Sequence, residues 1–540
     1  MIRPLLVLAG LIFGQAARAQ QPAAPVTRIA SQVNIKAFES HFHYLSDDLM
    51  EGRGPGTRGG RLAASYIAAQ FERMGLRPAG QDSGWFQPFA LKADRIVRSE
   101  LAAGGEQFAP AVDQAFLILG SDTLEEYRGP AVFVGYGIVS AENRWDDYRD
   151  VDVRGKLVIV LAGNPGQVDS TLFKATSTHN RITKTLEALR HGAAGALVIH
   201  SPAATGYPWG EIPRGWFKER ISLEQPDQPS GIPSGLSGWI RDSAAVRLFR
   251  AAGMDLAALK TSSASRDFRP VPVAMELTAA ASTTIHIIQG RNVLGIWPGR
   301  GADAKQVVIL GGHYDHLGIG PPVNGDSIYN GTEDNANGIA ALLTTAEAFA
   351  RSGVVPRRSV LFIAFDAEEE GLLGSEAYVW APVFPLERTT AMLNMDGINI
   401  YAKTRDTYAL GLDYSSLGTV FRKAAREEGL SVGISAPEEK FLEDQHFFMR
   451  SDHYNFADAG IPSLFIWGGY TAVGKPAGWM QQKIEEYLNT RYHQPSDGMQ
   501  SWYDYEGTVT DIRVLARILY SVAMSPGVPT WNPESPYQRK

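Results

Sequence analysis

The chain has no cysteine among its 540 residues. Disulfide bonds are therefore excluded, and so are thiolate nucleophiles and zinc sites built from cysteine. Any metal centre in this protein must draw its side-chain ligands from histidine, aspartate and glutamate.

Basic residues are also outnumbered, since 51 lysines and arginines stand against 58 aspartates and glutamates, for a net charge of −7. A mildly acidic chain without a long basic run lacks the electrostatic footprint of a nucleic-acid-binding protein or of one held on an anionic membrane. Hydrophobic residues make up 44% of the chain and charged residues 20%, which is typical of a globular protein with a sizeable core.

Long hydrophobic runs are lacking as well. The apolar run Leu5–Phe13 follows Arg3 and precedes Ala17-Arg18-Ala19, which fits an A-x-A cleavage site; this pattern is typical of a secretory signal peptide. The alternative is a buried or membrane-spanning helix, but the run is too short to cross a bilayer. We expect a signal peptide at residues 1–19, cleavage near Ala19–Gln20, and a secreted or periplasmic protein without a membrane span after cleavage.

The length of the chain favours two to four structural units. Hydrophobic periodicity predicts helices over residues 29–50 and 60–74, joined by the glycine-rich segment 51–59. That segment lacks the lysine of a phosphate-binding loop, so we interpret it as a connection. Short β-branched runs around a helix predicted over 182–191 indicate a small α/β or β-rich unit between about residues 121 and 278.

Beyond about residue 285, strand and helix patterns alternate. Strands are predicted over residues 307–310, 359–365, 392–395 and 463–467, and a helix over 338–351. Such alternation predicts an α/β fold with a mixed, mostly parallel sheet flanked by helices.

Acidic and imidazole side chains follow these predicted strands. His313 comes after the first strand, Glu368 and Glu369 after the second, and Asp396 after the third, while Asp334 lies in a loop that opens the helix. Open α/β sheets bind ligands beyond the carboxyl ends of their strands, and carboxylates gathered there would repel one another unless cations lay between them. Each motif alone also fits a hydrogen-bonded pair, a solvated face or a helix cap. Together they favour a metal site.

This ordered set of motifs resembles the co-catalytic zinc exopeptidases, the family that includes aminopeptidase Y, secreted bacterial leucine aminopeptidases and glutamate carboxypeptidase. The matching segments are Gly312-His-Tyr-Asp-His316, Tyr329-Asn-Gly-Thr-Glu-Asp-Asn-Ala-Asn-Gly338, Ala367-Glu-Glu-Glu-Gly-Leu-Leu-Gly-Ser375, Asn394-Met-Asp396, Ser451-Asp-His-Tyr-Asn-Phe456 with Gly460-Ile-Pro462, and Tyr492-His-Gln-Pro-Ser-Asp497. Each is weak alone, but their order along the chain is specific.

The resemblance implies a role for each matching residue. Two Zn²⁺ ions would be bridged by Asp334, with His313 and Asp396 completing one metal and Glu369 and His493 the other. The resemblance also implies that Glu368 is the general base and that Asp315 fixes the tautomer of His313. It further implies that Tyr492 stabilises the oxyanion and that the peptide bond between Asp334 and Asn335 is cis.

Two positions depart from the family pattern, which usually has Asp where Glu333 stands and a small residue where Asn337 stands. Neither is an expected ligand, so the departures bear on loop geometry and affinity. The register of the glutamate triplet rests on Ala367 and Gly371. A slip of one residue would make Glu369 the base and Glu370 the ligand.

The resemblance implies a zinc peptidase domain of the phosphorylase/hydrolase-like sandwich fold over residues 27–120 and 279–530. The insert between them, residues 121–278, resembles a protease-associated domain in the segments Val132-Phe-Val-Gly-Tyr-Gly137, Val153-Arg-Gly-Lys-Leu-Val158 and Ala188-Leu-Arg-His-Gly-Ala-Ala-Gly195. The expected protein is an aminopeptidase that acts on peptide substrates through a metal-activated water.

Three alternatives remain open. A glutaminyl cyclase shares the fold but uses one zinc and does not hydrolyse, and a receptor-like binding domain of this fold has lost ligands that this chain keeps. A carboxypeptidase like glutamate carboxypeptidase needs a cationic subsite for the terminal carboxylate, which Arg53 or Arg450 could supply.

Overall fold

The computed structural model describes residues 24–120, 123–168, 170–171, 173, 180–216, 219–224 and 234–538. The predicted signal peptide lies outside these residues. Nowhere in the described part of the chain is a helix both long and apolar enough to cross a membrane. The described residues form two compact units, one within residues 1–87 and 291–540 and the other within residues 88–290.

A mixed sheet forms the centre of the first unit. Its strands are β1 (Val271–Trp297, which begins in the second unit), β2 (Val307–His313), β3 (Ser359–Phe365), β4 (Thr389–Asn394), β5 (Asp406–Leu410), β6 (Ser431–Val432) and β7 (Ser463–Gly468), in the order β6-β5-β7-β4-β2-β3-β1. Strand β2 is parallel to both β3 and β4, and β4 is parallel to β7. The predicted mostly parallel sheet is confirmed.

Helices cover both faces of this sheet because its central strands are apolar on both faces. Val308 and Leu310 pack into one core cluster with Ile339, whereas Val307 lies in a second cluster with Tyr378. Fully buried strands of this kind are typical of parallel sheets. The helices of the unit are Pro25–Ala30, Ile35–Leu45, Arg58–Arg73, Asn337–Ser352, Leu373–Trp380, Leu417–Glu427, Ala436–Asp444, His453–Asp458, Trp479–Thr490 and Glu506–Met524.

The predicted helix over residues 60–74 is confirmed as Arg58–Arg73, but the single helix predicted over residues 29–50 is wrong. That region is broken between Ala30 and Ile35 and again after Leu45. The cause is local, because the Asn34 side chain accepts a hydrogen bond from the amide of Lys36 and so caps a new helix.

The second unit has its own set of strands and its own core clusters. Five strands follow one another in the order Leu124–Phe133, Leu157–Leu161, Gly195–Ile199, Gly235–Ile240 and Gln114–Leu119, with parallel pairing except in the last pair. Its further elements are the strands Phe86–Ala103, Glu106–Phe108, Val139–Ser140, Trp145–Asp146 and Arg220–Leu223 and the helices Arg181–Arg190, Pro202–Thr205, Glu211–Trp216, Asp242–Ala251 and Leu256–Ser263. The predicted insert, 121–278, lies inside this unit, and its likeness to a protease-associated domain stays a prediction.

Candidate metal centre

Three neighbouring strands deliver polar side chains to one edge of the first unit's sheet. Strand β2 ends at His313, the glutamate triplet follows the end of β3, and Asp396 follows the end of β4. Because these strands are parallel, their carboxyl ends meet at the same edge. The loop before the helix Asn337–Ser352 brings Asp334 to this edge as well.

Asp334 lies between two histidines and faces each with a different carboxylate oxygen. Its Oδ1 is 3.2 Å from Nε2 of His313, and its Oδ2 is 3.3 Å from Nε2 of His493. Asp396 Oδ1 lies 3.1 Å from the same nitrogen of His313, and Glu369 Oε2 lies 2.9 Å from that of His493. The five expected ligands thus form two groups that share Asp334.

The carboxylates and imidazoles of this centre shift one another's pKa values. Burial opposes ionisation of Asp334, but the adjacent imidazoles of His313 and His493 hold the pKa of its carboxyl well below the usual range. Burial likewise lowers the pKa of His493, yet the adjacent carboxylates of Asp334 and Glu369 raise that pKa to about 10. Metal ions bind the deprotonated forms of these side chains, so they would take the place of the ring protons.

Glu368 lies close to His313 and Asp396. Its Oε2 is 3.9 Å from Nε2 of His313. Burial raises the pKa of Glu368 well above its usual range; His313 opposes this shift, and Asp396 and Glu369 add to it. A carboxyl group in such surroundings holds a proton readily, as a general base must.

Asp315 positions the glutamate segment through the backbone. Its carboxylate accepts hydrogen bonds from the amides of Glu368 at 3.0 Å and Glu369 at 3.3 Å. The expected contact with His313 is looser, because Asp315 Oδ1 is 3.7 Å from Nδ1 of His313 while the backbone oxygen of Asp315 is 3.3 Å away. That the Asp315 carboxylate fixes the tautomer of His313 stays a prediction.

The loop that carries Asp334 is tied down on two sides. The peptide bond between Asp334 and Asn335 is cis, as the family resemblance implies. The Asn335 side chain donates to the carbonyls of His313 at 3.1 Å and Met395 at 2.9 Å. Asp497 accepts from the amides of Glu333 at 3.0 Å and Asp334 at 3.3 Å. These bonds link the loop to β2, to the end of β4 and to the segment that carries His493.

Sequence reasoning missed two features of the centre. His316 is fully buried, and its Nδ1 contacts Glu369 Oε1; the signal was its place at the end of the Gly312–His316 motif. Glu333 accepts hydrogen bonds from Tyr401 and Arg491 and lies 3.2 Å from the Tyr503 hydroxyl. Nothing local in the sequence connects Glu333 with these partners.

The donor atoms fit a metal that prefers nitrogen and oxygen. Two groups, His313 with Asp334 and Glu369, and His313 with Glu368 and Asp396, place one possible ligand atom from each residue within 4.8 Å of the others. Imidazole nitrogen and carboxylate oxygen are ligands that zinc accepts in proteins. The residues at this edge therefore fit a metal of that kind.

Comparison with known proteins agrees with this geometry. Residues 292–516, which contain all of these side chains, match peptidase family M28. The match covers less than half of this chain. Leupeptin-inactivating enzyme 1 of Streptomyces exfoliatus is 29% identical over 218 residues, which are 40% of this chain and 44% of that protein. A probable lipoprotein aminopeptidase of Mycobacterium tuberculosis is 30% identical over 233 residues, which are 42% of this chain and 43% of that protein. The matches span less than half the length of these relatives.

The likeness to a solved structure extends beyond residues 292–516. An aminopeptidase from Aneurinibacillus sp. strain AM-1 matches 95% of this chain and 100% of its own chain, with a TM-score of 0.53 and 18% identity. At that identity the match shows a shared fold. The predicted α/β fold is confirmed by it.

A cavity of about 160 Å³ opens beside the candidate metal ligands. Asp334, Glu368 and Asp396 belong to its lining. Most of its other lining residues are apolar or aromatic, namely Ile398, Tyr401, Phe447, Phe465, Trp467, Met480, Ile484, Tyr487, Leu488 and Tyr492, and further polar ones are Glu333, Asn337, Asn399 and Arg450. A ligand in this cavity would therefore meet both carboxylates and a large apolar surface.

Tyr492 lines this cavity and precedes the candidate metal ligand His493. Its ring stacks on His493 with centroids 3.8 Å apart. Burial raises the pKa of Tyr492 and the nearby Asp334 and Glu369 raise it further, so the hydroxyl keeps its proton. A protonated hydroxyl next to a metal ligand can donate a hydrogen bond to a ligand oxygen.

The Arg53 side chain is not available to bind a substrate carboxylate. Its side chain is buried and donates to the carbonyls of Tyr314 at 2.7 Å, Leu45 at 2.7 Å and Gly331 at 2.8 Å. Because its guanidinium is occupied by backbone oxygens, Arg53 cannot serve as the cationic subsite that a carboxypeptidase requires.

Proposed function

We propose that the protein is a zinc-dependent aminopeptidase that hydrolyses the first peptide bond of peptide substrates, with two Zn²⁺ ions per chain. The observation that supports this most strongly is that Asp334 presents one oxygen to His313 and the other to His493, each of which is joined by a further carboxylate. The M28 match and the relative named as a probable lipoprotein aminopeptidase support the same activity.

In this proposal, His313, Asp334 and Asp396 would hold one zinc, and Asp334, Glu369 and His493 would hold the other. When bound, zinc would supply Lewis acidity that activates water and the scissile carbonyl. Glu368 accepts a proton from the water as its oxygen bonds to the carbonyl carbon, and it returns that proton to the nitrogen as the carbon–nitrogen bond breaks. Tyr492 donates a hydrogen bond to the carbonyl oxygen as negative charge develops there.

The carboxylates of the cavity wall set the point of cleavage. Asp396 uses Oδ1 towards His313, and its side chain also lines the cavity. A carboxylate in that place can hold the α-ammonium group of a substrate by a charge-assisted hydrogen bond. Such a contact fixes the first residue of the peptide beside the centre and so favours removal of single N-terminal residues.

Metal content and activity together test this function. Zinc analysis after dialysis should give close to two ions per chain, and a panel of aminoacyl-anilides should be hydrolysed only by the zinc-loaded protein. One ion per chain without hydrolysis would favour a cyclase, and no bound metal would favour a receptor-like domain.

We also propose that residues 88–290 contain a protease-associated-like domain and that the protein acts outside the cytoplasm. The first rests on the motif likeness within 121–278, and the second on the expected signal peptide. Sequencing the N-terminus of the exported protein should place the start at Gln20; an N-terminus at Met1 in the exported fraction would contradict the predicted cleavage.

A further inference from the structure

Arg450 is a cation with an unusual position, because it lines the cavity that also holds the candidate catalytic groups. Its guanidinium lies over the ring of Phe447, 4.9 Å from the ring centre, and its Nη2 donates to the Tyr492 hydroxyl at 3.4 Å. Among the described residues no carboxylate forms an ion pair with it, and it is exposed. The contacts that position its guanidinium are therefore with neutral aromatic side chains.

The contact with Tyr492 fixes where a partner for this charge could lie. In the proposed function the Tyr492 hydroxyl meets the scissile carbonyl oxygen, so Arg450 lies beside the scissile bond. In a dipeptide the terminal carboxylate is separated from the scissile carbonyl carbon by only one nitrogen and one α-carbon, a span of roughly 3.5 Å from standard bond lengths. A longer peptide has a neutral amide at the same place.

The position of Arg450 matches the carboxylate of a dipeptide better than an acidic side chain of the first residue. That side chain would enter the cavity, whose lining is largely apolar, with Phe465, Met480 and Leu488 among its residues. Arg450 is instead exposed to solvent. Guanidinium groups pair with carboxylates through two parallel hydrogen bonds, which a neutral amide cannot reproduce.

We propose that Arg450 is a specificity-determining residue that binds the free carboxylate of a dipeptide, which makes dipeptides with an apolar first residue the preferred substrates. This inference rests on the proposed aminopeptidase function and goes beyond it by naming the substrate class.

The test compares three substrates that share the same first residue: leucyl-leucine, leucyl-leucinamide and leucine p-nitroanilide. The zinc-loaded wild-type protein should show a kcat/KM about tenfold higher for leucyl-leucine than for its amide. Arg450→Gln should abolish this ratio by slowing only leucyl-leucine, and Arg450→Lys should restore part of it. Arg426→Gln, which removes an exposed arginine from the helix Leu417–Glu427, is the matched control and should leave the ratio unchanged.

Each other outcome is decisive. Equal loss on all three substrates in Arg450→Gln would show that Arg450 acts through Tyr492 and would overturn the inference. The inference also fails if wild type treats leucyl-leucine and its amide alike, or if the variant instead loses a preference for a glutamyl anilide. A zinc-loaded wild type that hydrolyses none of these substrates would overturn the proposed function, and this inference with it.

Discussion

Asp334 shows how single residues shape the centre. One carboxylate faces two histidines at nearly equal distances, 3.2 and 3.3 Å. An amide at this position offers one oxygen only, so Asn cannot face both rings with an acceptor. Glu368 lies further from Nε2 of His313 than the carboxylates of Asp334 and Asp396 do.

The glutamate triplet allows a test of roles by three matched substitutions. Glu368→Gln should lower kcat by at least about 10²–10⁴-fold, because an amide cannot accept the proton of water, and it should keep both zinc ions. Glu369→Gln should lose zinc affinity and recover activity in part when zinc is added. Glu370→Gln is the control, since that side chain belongs to neither metal-binding group. Steady-state kinetics with and without added zinc decide the assignment, and an inactive Glu370→Gln would mean that the roles are shifted by one residue.

The pair of Glu333 and Arg491 predicts a second effect on zinc. Glu333 precedes Asp334, and Arg491 lies two residues before His493, so their buried ion pair links the two ligand segments. Arg491→Gln should weaken zinc binding about 10–100-fold, as substitutions behind a metal ligand do. Zinc affinity measured by competition with a chelator tests this.

The double variant Glu333→Gln/Arg491→Gln is the control for that experiment. Removing both charges avoids leaving one of them buried alone, which costs about 3–5 kcal/mol, so its loss of zinc affinity should be smaller than the sum of the single losses. A lower melting temperature of Arg491→Gln with unchanged zinc affinity would limit the pair to a structural role.

How much of the centre could be predicted depended on the sequence distance between partners. His313, Glu369 and Asp396 each follow an apolar strand directly, so their convergence follows from local patterns and parallel pairing. The contact between Glu333 and Arg491 joins residues 158 positions apart. No periodicity reports such a pairing, because it depends on how the helix Trp479–Thr490 is placed beside the sheet.

At the level of elements, Arg53 shows how one loop side chain can donate the hydrogen bonds that a neighbouring strand would otherwise provide. It has a positive φ of 53° and connects the end of helix Ile35–Leu45 with β2 and with the loop before Asp334. Buried carbonyls that lie outside helices and sheets need such donors. The glycine-rich segment interpreted as a simple connection thus contributes the side chain that holds the ligand loop in place.

The helix Glu506–Met524 carries a buried acid that predicts a pH effect on stability. Burial, and then the charge of Asp406, raise the pKa of Asp511 from 3.8 to about 8. The folded state therefore holds this proton more tightly than the unfolded state, and its contribution to stability is complete below pH 3.8 and is lost as pH rises through 8.

Asp511→Asn should remove that dependence. The free energy of unfolding of the variant should exceed that of wild type by a margin that grows between pH 4 and 8, by up to about 1.4 kcal/mol per pKa unit. Urea unfolding at several pH values, with Asp413→Asn as an exposed control, measures the difference. A margin that is constant with pH would contradict the shifted pKa.

The helix boundaries show why local patterns are insufficient. The apolar spacing of residues 29–50 continues through the breaks, so periodicity alone predicts one helix. The competing side-chain cap at Asn34 ends that continuity, and its energy, about 1 kcal/mol, is comparable to the propensity differences that favour continuation. The strands β2, β3 and β4 were easier to predict because tertiary burial and β-branched composition agree there.

For the whole molecule, all expected ligands belong to one of the two units. Zinc should therefore slow amide hydrogen exchange around residues 310–340, 365–400 and 485–500, because binding stabilises only the state that holds the metal. Peptides from residues 181–199 serve as the internal control. Mass spectrometry of zinc-free and zinc-loaded protein tests this, and protection gained within 88–290 would reveal a further metal site there.

The ends of the first unit also determine when the centre can form. Ile29, in helix Pro25–Ala30, shares a core cluster with Ile512 and Leu515 of the final long helix. The second unit is continuous in the chain, whereas the first needs both its beginning and its end. Since domains fold as units during synthesis, residues 88–290 can finish folding on the ribosome while His493 and the closing helix are still untranslated. The proposed zinc site therefore cannot be complete, whatever the state of the second unit, until the segment that carries His493 has been made.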